Sequence, residues 1–299
     1  MSINIFMKKA VLYFYNRIQF LNITNSNVRN LAVREIWYHK LKKKYRHLLK
    51  SETLRLNKKQ FSNKVWICWF QGMDQAPKLV KKCYETVCQY LNDKDIIVIT
   101  ENNFSDYVII PQYIIKKWRK GTISYAHFSD ILRLELLIKY GGLWIDSTVF
   151  LTGRPFFIDE KKLDFFVYKS ISLYKKEKLC VNASNWLIYS PIANNPMLLL
   201  TRKLLYQYWK QHNIALNYNI YHMFFTMATE IYCEEWEKVP TYSNIPPHVL
   251  QFELLTNYNQ ERFEEIKKMS DVHKLDRRVM NNSKGTFYDE LFQSGGEKK

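Results

Sequence analysis

Cysteine is sparse and unpatterned in this chain of 299 residues: Cys68, Cys83, Cys88, Cys180 and Cys233 are odd in number and scattered. They have neither the short paired spacings of a zinc site nor an even framework for disulfides. They read as reduced, packed thiols, in keeping with a cytosolic compartment. Long hydrophobic runs are missing too. The first 23 residues, MSINIFMKKAVLYFYNRIQFLNI, are rich in aromatic and aliphatic side chains. Lys8, Lys9 and Arg17 interrupt them, and no run approaches the ~18 apolar residues that span a bilayer. No small-residue cleavage site follows an apolar stretch, so the chain is expected to stay in the cytoplasm. Repeats and low-complexity tracts are absent, and so is any zinc-finger or RNP sequence that would mark a nucleic-acid reader.

What is present is enough apolar matter for a large core, at 47% hydrophobic and 16% aromatic residues. Three segments are expected: a basic helical extension over 1–60, one α/β domain over 61–292, and a flexible end over 293–299, QSGGEKK. Charge is the uneven property. Residues 1–60 hold fourteen Lys or Arg against Glu35 and Glu52, so they carry +12 of the formal +17. A basic tail ahead of a nearly balanced body suggests attachment to anionic lipid or nucleic acid, the alternative being a solvated helix with no partner. An amphipathic helix lying on a membrane fits the first 23 residues. The run KLKKKYRHLLK at 40–50 would add about 1 kcal/mol for each cation near an anionic surface.

Along the body, Lys64 to Phe70 is an apolar β-type run, a Gln71-Gly72 turn follows, and Pro77 opens a helix to about Leu91. Asp95 to Thr100 is the next strand. Strand, helix and strand in this order make a βαβ unit with a right-handed crossover, so the class is Rossmann-like α/β. Gln112 to Lys120 reads as a further helix. Later, Asp164 to Tyr168 and Asn185 to Tyr189 read as strands, Pro196 to about His212 as a helix, and Tyr218 to Cys233 as another. Trp186, Tyr189, Trp209, Tyr221 and Trp236 either line a sugar-binding cleft or, more ordinarily, fill the core. The run Asp271 to Arg278, DVHKLDRR, gathers ionisable groups that can close over a phosphate.

The most specific stretch is 124–151, SYAHFSDILRLELLIKYGGLWIDSTVFL. Phe128, Ile131, Leu134, Leu137 and Ile138 recur at helical spacing, and Ser124 can cap the start. Gly141 and Gly142 end the helix where a reversal needs positive φ, and Leu143 to Ile145 is a short buried strand running back. From Asp130 to Tyr140 the helix rises roughly 15 Å at about 1.5 Å per residue, and from Gly142 to Asp146 the strand returns roughly 13 Å at about 3.3 Å per residue. Asp146 therefore finishes level with Asp130 and Arg133, at the strand end where ligands of open α/β sheets sit. The plainer alternative is an exposed i,i+3 ion pair and a turn aspartate.

With Ser129-Asp130-Ile-Leu-Arg133 followed by Tyr140-Gly-Gly-Leu-Trp-Ile-Asp146-Ser-Thr148, the chain resembles the capsular polysaccharide synthesis proteins. Those are similar to glycosyltransferase family 32 and to the glucosylating domains of large clostridial toxins. A looser likeness runs from about Val65 to His273. The resemblance implies a GT-A type fold and a retaining transfer of a sugar from a nucleotide donor, UDP-linked, to a saccharide acceptor. By the same likeness Trp69 stacks on the base, Asp130 and Arg133 hold sugar and ribose hydroxyls, and Asp146 faces the ribose and a metal. A departing nucleoside diphosphate builds negative charge that arginine and Mn²⁺ or Mg²⁺ can neutralise. The His273-Lys274-Leu275 run also resembles the family, which implies His273 as a metal ligand and His273 and Lys274 as donor contacts; a packing histidine is the alternative. In place of Asp-x-Asp stands Asp146-Ser147-Thr148, which removes a negative charge and weakens a metal site unless Asp271 or His273 supplies a ligand.

The expectation is thus a cytoplasmic glycosyltransferase of capsule or surface polysaccharide, docked through residues 1–60 on the anionic inner membrane face, extending a lipid-linked acceptor. No nucleic-acid partner is expected. The rivals are a non-catalytic basic protein that binds membrane or nucleic acid, and a sugar-phosphate transferase of surface polysaccharide.

Overall fold

The computed structural model describes residues 2–18, 24–51, 61–158, 163–172, 179–278 and 284–293. The basic N-terminal stretch forms two helices, α1 (Ser2–Ile18) and α2 (Ser26–Lys44). The Asn25 side chain accepts from the free N–H groups of Asn27 and Val28 and so starts α2; Lys42, Lys43 and Lys44 suit the negative end of its dipole. α2 is seated on the body: Tyr38, Leu41 and Tyr45 are buried in the main core, and Lys42 pairs with Glu230. Residues 52–60, at the expected domain boundary, lie outside the described residues.

Strand β1 (Lys64–Cys68), helix α3 (Lys78–Tyr90) and strand β2 (Asp95–Ile99) make the βαβ unit, with Lys64 opposite Asp95 and Cys68 opposite Ile99. Pro77 stands just before α3, where a missing N–H costs nothing. Short α4 (Phe104–Tyr107) and α5 (Gln112–Arg119) lead to α6 (Tyr125–Tyr140), and β3 (Gly142–Asp146) returns parallel to β1. Next, β4 (Val149–Leu151) leaves this sheet, and β5 (Leu187–Ser190) joins it antiparallel to β3. The sheet order is β2-β1-β3-β5. Helices α7 (Pro196–Gln211), α8 (Ile220–Ile231) and α9 (Cys233–Glu237) follow. After α10 (Val249–Glu253) and α11 (Gln260–Met269), β6 (Val272–Lys274) pairs antiparallel with β4.

Strand alternation sorts the sheet into two buried faces. Trp66, Trp144 and Ile188 point to the core shared with α2, α5, α6, α7 and α8, while Val65, Ile67, Leu143, Ile145 and Leu187 point to the core shared with the end of α3 and β4. This is the expected Rossmann-like α/β class, a parallel core with helices on both sides and one antiparallel strand beside β3.

Three elements differ from expectation: one expected strand is missing, and two short strands, β4 and β6, are present beyond those expected. The aromatic run Asp164 to Tyr168 is no strand; only Phe166 bridges to Tyr189, and its ring stacks on Phe157 at 4.5 Å. An apolar run of that length reads equally well as strand or as packing segment. The three-residue strands β4 and β6 are too short to show any period. Of the expected flexible end, Gln293 closes a π-helical turn from Asp289, and 294–299 lie outside the described residues.

Candidate active site

The reversal between α6 and β3 brings the charged groups together. Gly141 and Gly142 have φ of 67° and 104°, and a Cβ at Gly142 would stand 2.3 Å from the Lys64 carbonyl oxygen. Only glycine lets the chain turn this tightly against β1. At the other end of α6 the Ser124 hydroxyl caps the His127 N–H, so Ser129, Asp130 and Arg133 lie in its first two and a half turns, level with the carboxyl end of β3. In register with Asp146 is Cys68, and Trp186 O accepts from the Asp146 N–H at 2.8 Å.

Arg133 is the hub. Its guanidinium lies 3.1 Å from Asp130 and 3.2 Å from Asp146, and it donates to Ser129 Oγ at 3.3 Å and to the Asn185 carbonyl at 2.9 Å. The rings of Trp144 and Tyr221 flank it at 4.9 and 5.8 Å. Trp144, two residues before Asp146 on the same strand face, donates its indole N–H to Asp146 Oδ1 at 2.9 Å. Asn185 donates to Asp130 Oδ1 at 2.8 Å. Exposure separates the two carboxylates: the Asp146 side chain is 26% exposed, Asp130 11% and Arg133 5%. Asp146 faces the solvent side, with the other two beneath it.

The electrostatics follow from this layering. Burial pushes the Asp130 carboxyl above its ordinary pKa even with Arg133 beside it. Burial also opposes the charge on Arg133, but Asp146 and Asp130 outweigh it and the guanidinium lies above its usual value. Lys274 reaches the same edge from β6: its Nζ donates to Thr148 Oγ1 at 2.6 Å and to Leu275 O at 3.0 Å, and lies 3.9 Å from Asp146 Oδ2. Burial lowers the Lys274 pKa, while Asp146 acts against that shift.

Of the remaining expected residues, Trp69 follows directly on β1, half-buried, with the Arg277 guanidinium 5.4 Å from its ring centre. His273 does not join the cluster. Alternation along β6 turns it away from Lys274, into the ribbon opposite Phe150, where it is fully buried with Nε2 2.9 Å from Thr152 Oγ1. Burial lowers its pKa to about 4. Asp271 sits at the far end of the same ribbon, its carbonyl accepting from the Thr152 N–H at 3.0 Å. The aromatics weighed for sugar stacking are largely core, since Trp186, Trp209 and Tyr221 are buried. Tyr218, which the sequence did not single out, is 70% exposed, and its carbonyl lies 3.2 Å from His127 Nε2, one turn before Asp130. Asn185 was missed as a site residue too, although its place at the start of an apolar strand was a usable signal. A cavity of about 490 Å³ lies elsewhere, lined by Lys50, Tyr113, Arg202, Tyr206 and Lys210, and no site residue borders it.

The donor set does not fit a divalent ion well. Mg²⁺ and Mn²⁺ take about six oxygens, one or two of them from free protein carboxylates and the rest from water and substrate phosphate. Here Asp146 Oδ1 already accepts from Trp144 and Arg133, and the Thr148 hydroxyl accepts from Lys274. Among the described residues no group of three or more His, Cys, Asp or Glu could hold a metal.

A family model described as capsular polysaccharide synthesis protein matches residues 17–291, reaching into α1 and beyond the 65–273 stretch of the resemblance. Solved structures with a similar backbone include one described as PaToxG glycosyltransferase, at 16% identity and a TM-score of 0.37, covering 70% of this chain and 80% of that one. Another is a transferase with two cysteine-to-serine substitutions, at 11% identity and a TM-score of 0.31, covering 73% and 96%. Likeness at this level adds nothing to the fold and site described above. No curated protein matches the chain in sequence.

Proposed function

The chain belongs to the capsular polysaccharide synthesis protein family, and on that premise we propose that it is a glycosyltransferase that moves a sugar from a UDP-linked donor to a saccharide acceptor of surface polysaccharide. The observation that carries the reading is the layered cluster at the carboxyl edge of the sheet, with Asp146 toward solvent and Arg133 and Asp130 below it. That edge is where α/β sheets bind nucleotides. Asp146 is the group that meets the donor. Arg133, whose two terminal nitrogens contact Asp130, Asp146, Ser129 and Asn185, is a positioning residue that fixes the carboxylate. Trp69 offers a ring for the base once Arg277 shifts from it, and Lys274 a cation for the diphosphate.

In the proposed reaction the bond from the anomeric carbon to the diphosphate breaks, and the electron pair stays on the phosphate oxygen. The acceptor hydroxyl attacks from the same face, which retains configuration, and its proton passes to that oxygen. The carboxylate that shares Arg133 with Asp146, Asp130, lies beneath it at 11% exposure rather than beside it as a nucleophile, which supports front-face attack.

The acceptor is proposed to be lipid-linked and the membrane contact to run through α1. Met7, Val11 and Phe14 are exposed along one stripe of that helix, with Lys8 and Arg17 beside it. Among the described residues no helix is long and apolar enough to cross a membrane. Peripheral attachment at the anionic inner face would bring the enzyme to a pyrophosphate-linked lipid. The test is slow hydrolysis of a panel of UDP-sugars by the purified protein. Failure of all of them, with and without Mn²⁺, would remove the assignment.

A further inference from the structure

Where a second carboxylate would complete an Asp-x-Asp motif, the chain has Thr148, and a lysine stands against it. The ribbon of β4 and β6 makes this pairing: Leu275 N–H donates to Thr148 O at 2.9 Å, which brings Lys274 Nζ to 2.6 Å from Thr148 Oγ1 and 3.9 Å from Asp146 Oδ2. A cation thus fills the space between positions 146 and 148. Asp130 and Asp146 together are balanced by Arg133 and Lys274, so a divalent ion entering here would meet no net negative charge. The other nearby acids give no help. Asp276 is paired with Arg278 at 2.9 Å, and Asp271 lies at the far end of the ribbon.

Threonine matters here for what it does not do. An aspartate at 148 would neutralise Lys274, whereas a hydroxyl accepts its hydrogen bond and leaves the positive charge free for an anion. The Lys274 side chain is 20% exposed, beside the 26% exposed Asp146.

We propose that Lys274, rather than a divalent cation, neutralises the diphosphate of the donor, so that this chain transfers sugar without a metal ion. The inference rests on the nucleotide-sugar reading above. As the anomeric carbon–oxygen bond breaks, the charge left on the diphosphate meets an ammonium already fixed by Thr148 and Leu275, and Lys274 keeps its proton throughout.

UDP binding measured by calorimetry tests this on the full chain. UDP should bind in EDTA, and adding Mn²⁺ should change its affinity by no more than about threefold. Lys274→Met should weaken binding in EDTA by about tenfold or more, the scale of one lost charge-assisted hydrogen bond, and Lys274→Arg should restore part of it. Should Lys274→Met fail to fold, Thr148→Asp serves instead: by neutralising Lys274 it should weaken UDP binding in EDTA and make it respond to Mn²⁺. The proposal is overturned if UDP binds the unmodified chain only with Mn²⁺ or Mg²⁺, or if Lys274→Met binds as well as the parent. Metal-dependent binding would leave the transferase reading standing. No UDP binding and no UDP-sugar hydrolysis under either condition would remove both.

Discussion

Asp146→Ala and Asp130→Ala remove the two carboxylates that share Arg133, yet they should do opposite things. At Asp146 the lost oxygens leave the Trp144 indole N–H and one Arg133 N–H without their acceptor, but the position is 26% exposed and water can take it. Arg133 keeps Asp130 at 3.1 Å and the Asn185 carbonyl at 2.9 Å. The cost to the fold should be about 1–3 kcal/mol. At Asp130 no water replaces the carboxylate so readily, because its side chain is only 11% exposed and Asn185 covers it. Removing a partner from a buried ion pair costs about 3–5 kcal/mol. Turnover should move the other way. Asp146→Ala should lower UDP-sugar hydrolysis by at least about 10²-fold, the usual scale for one preorganised polar group, with the native circular dichroism spectrum kept. Denaturant unfolding and single-turnover hydrolysis on both variants measure the two effects. If Asp146→Ala hydrolyses donor at near the parent rate, or destabilises as much as Asp130→Ala, then Asp146 is a structural partner of Arg133 and the layered reading fails.

Acid should weaken the fold through two desolvated histidines, the fully buried His273 and the partly buried His222. Burial holds His273 at about 4 and His222 at about 3, below the ~6.5 of an unfolded chain, so the neutral forms contribute stability that is full above pH 6.5 and is lost as pH falls toward 4. For His273 the loss is on the order of 3 kcal/mol, and His273→Gln should flatten a melting-temperature profile over that window; an unchanged profile would show that His273 opens to solvent before it titrates. At the α6–β3 reversal, Gly142→Ala should cost more than ~3 kcal/mol, since its Cβ would meet the Lys64 carbonyl at 2.3 Å. Gly121→Ala, with positive φ but nothing within 4 Å, should cost only about 1–2 kcal/mol, and equal losses in thermal melts would refute the close-approach argument. Val11→Glu with Phe14→Glu should weaken binding to vesicles rich in anionic lipid without altering UDP-sugar hydrolysis. Unchanged vesicle flotation would rule out the α1 stripe as the contact.

Much of the fold could be read from period and punctuation. The βαβ unit, α6 and its serine cap, the glycine reversal and β3 are each signalled by local chemistry that packing reinforces: Ser124 at a helix start, two glycines at a turn, apolar residues at helical or strand spacing. The bounds of α3, α5 and α7 lie within a residue or two of those expected, because Pro77 and Pro196 mark two of the starts. Less could be read of α2. Its sequence is strongly basic, yet Tyr38, Leu41 and Tyr45 seat it in the core, and three apolar side chains among many lysines make no clear stripe.

The stretch from Ser124 to Asp146 carries its own geometry, since helix rise, glycine dihedrals and strand rise act between neighbours in the chain. That is why the sequence alone sets Asp130, Arg133 and Asp146 at one edge. Local rules have no hold on residues 126 positions apart, as Thr148 and Lys274 are. Whether His273 or Lys274 faces the site depends on which side of a three-residue strand each takes, and a shift of one residue exchanges them. Pairing with β4 and burial against its neighbours make that choice, and with it the charge that meets the ligand.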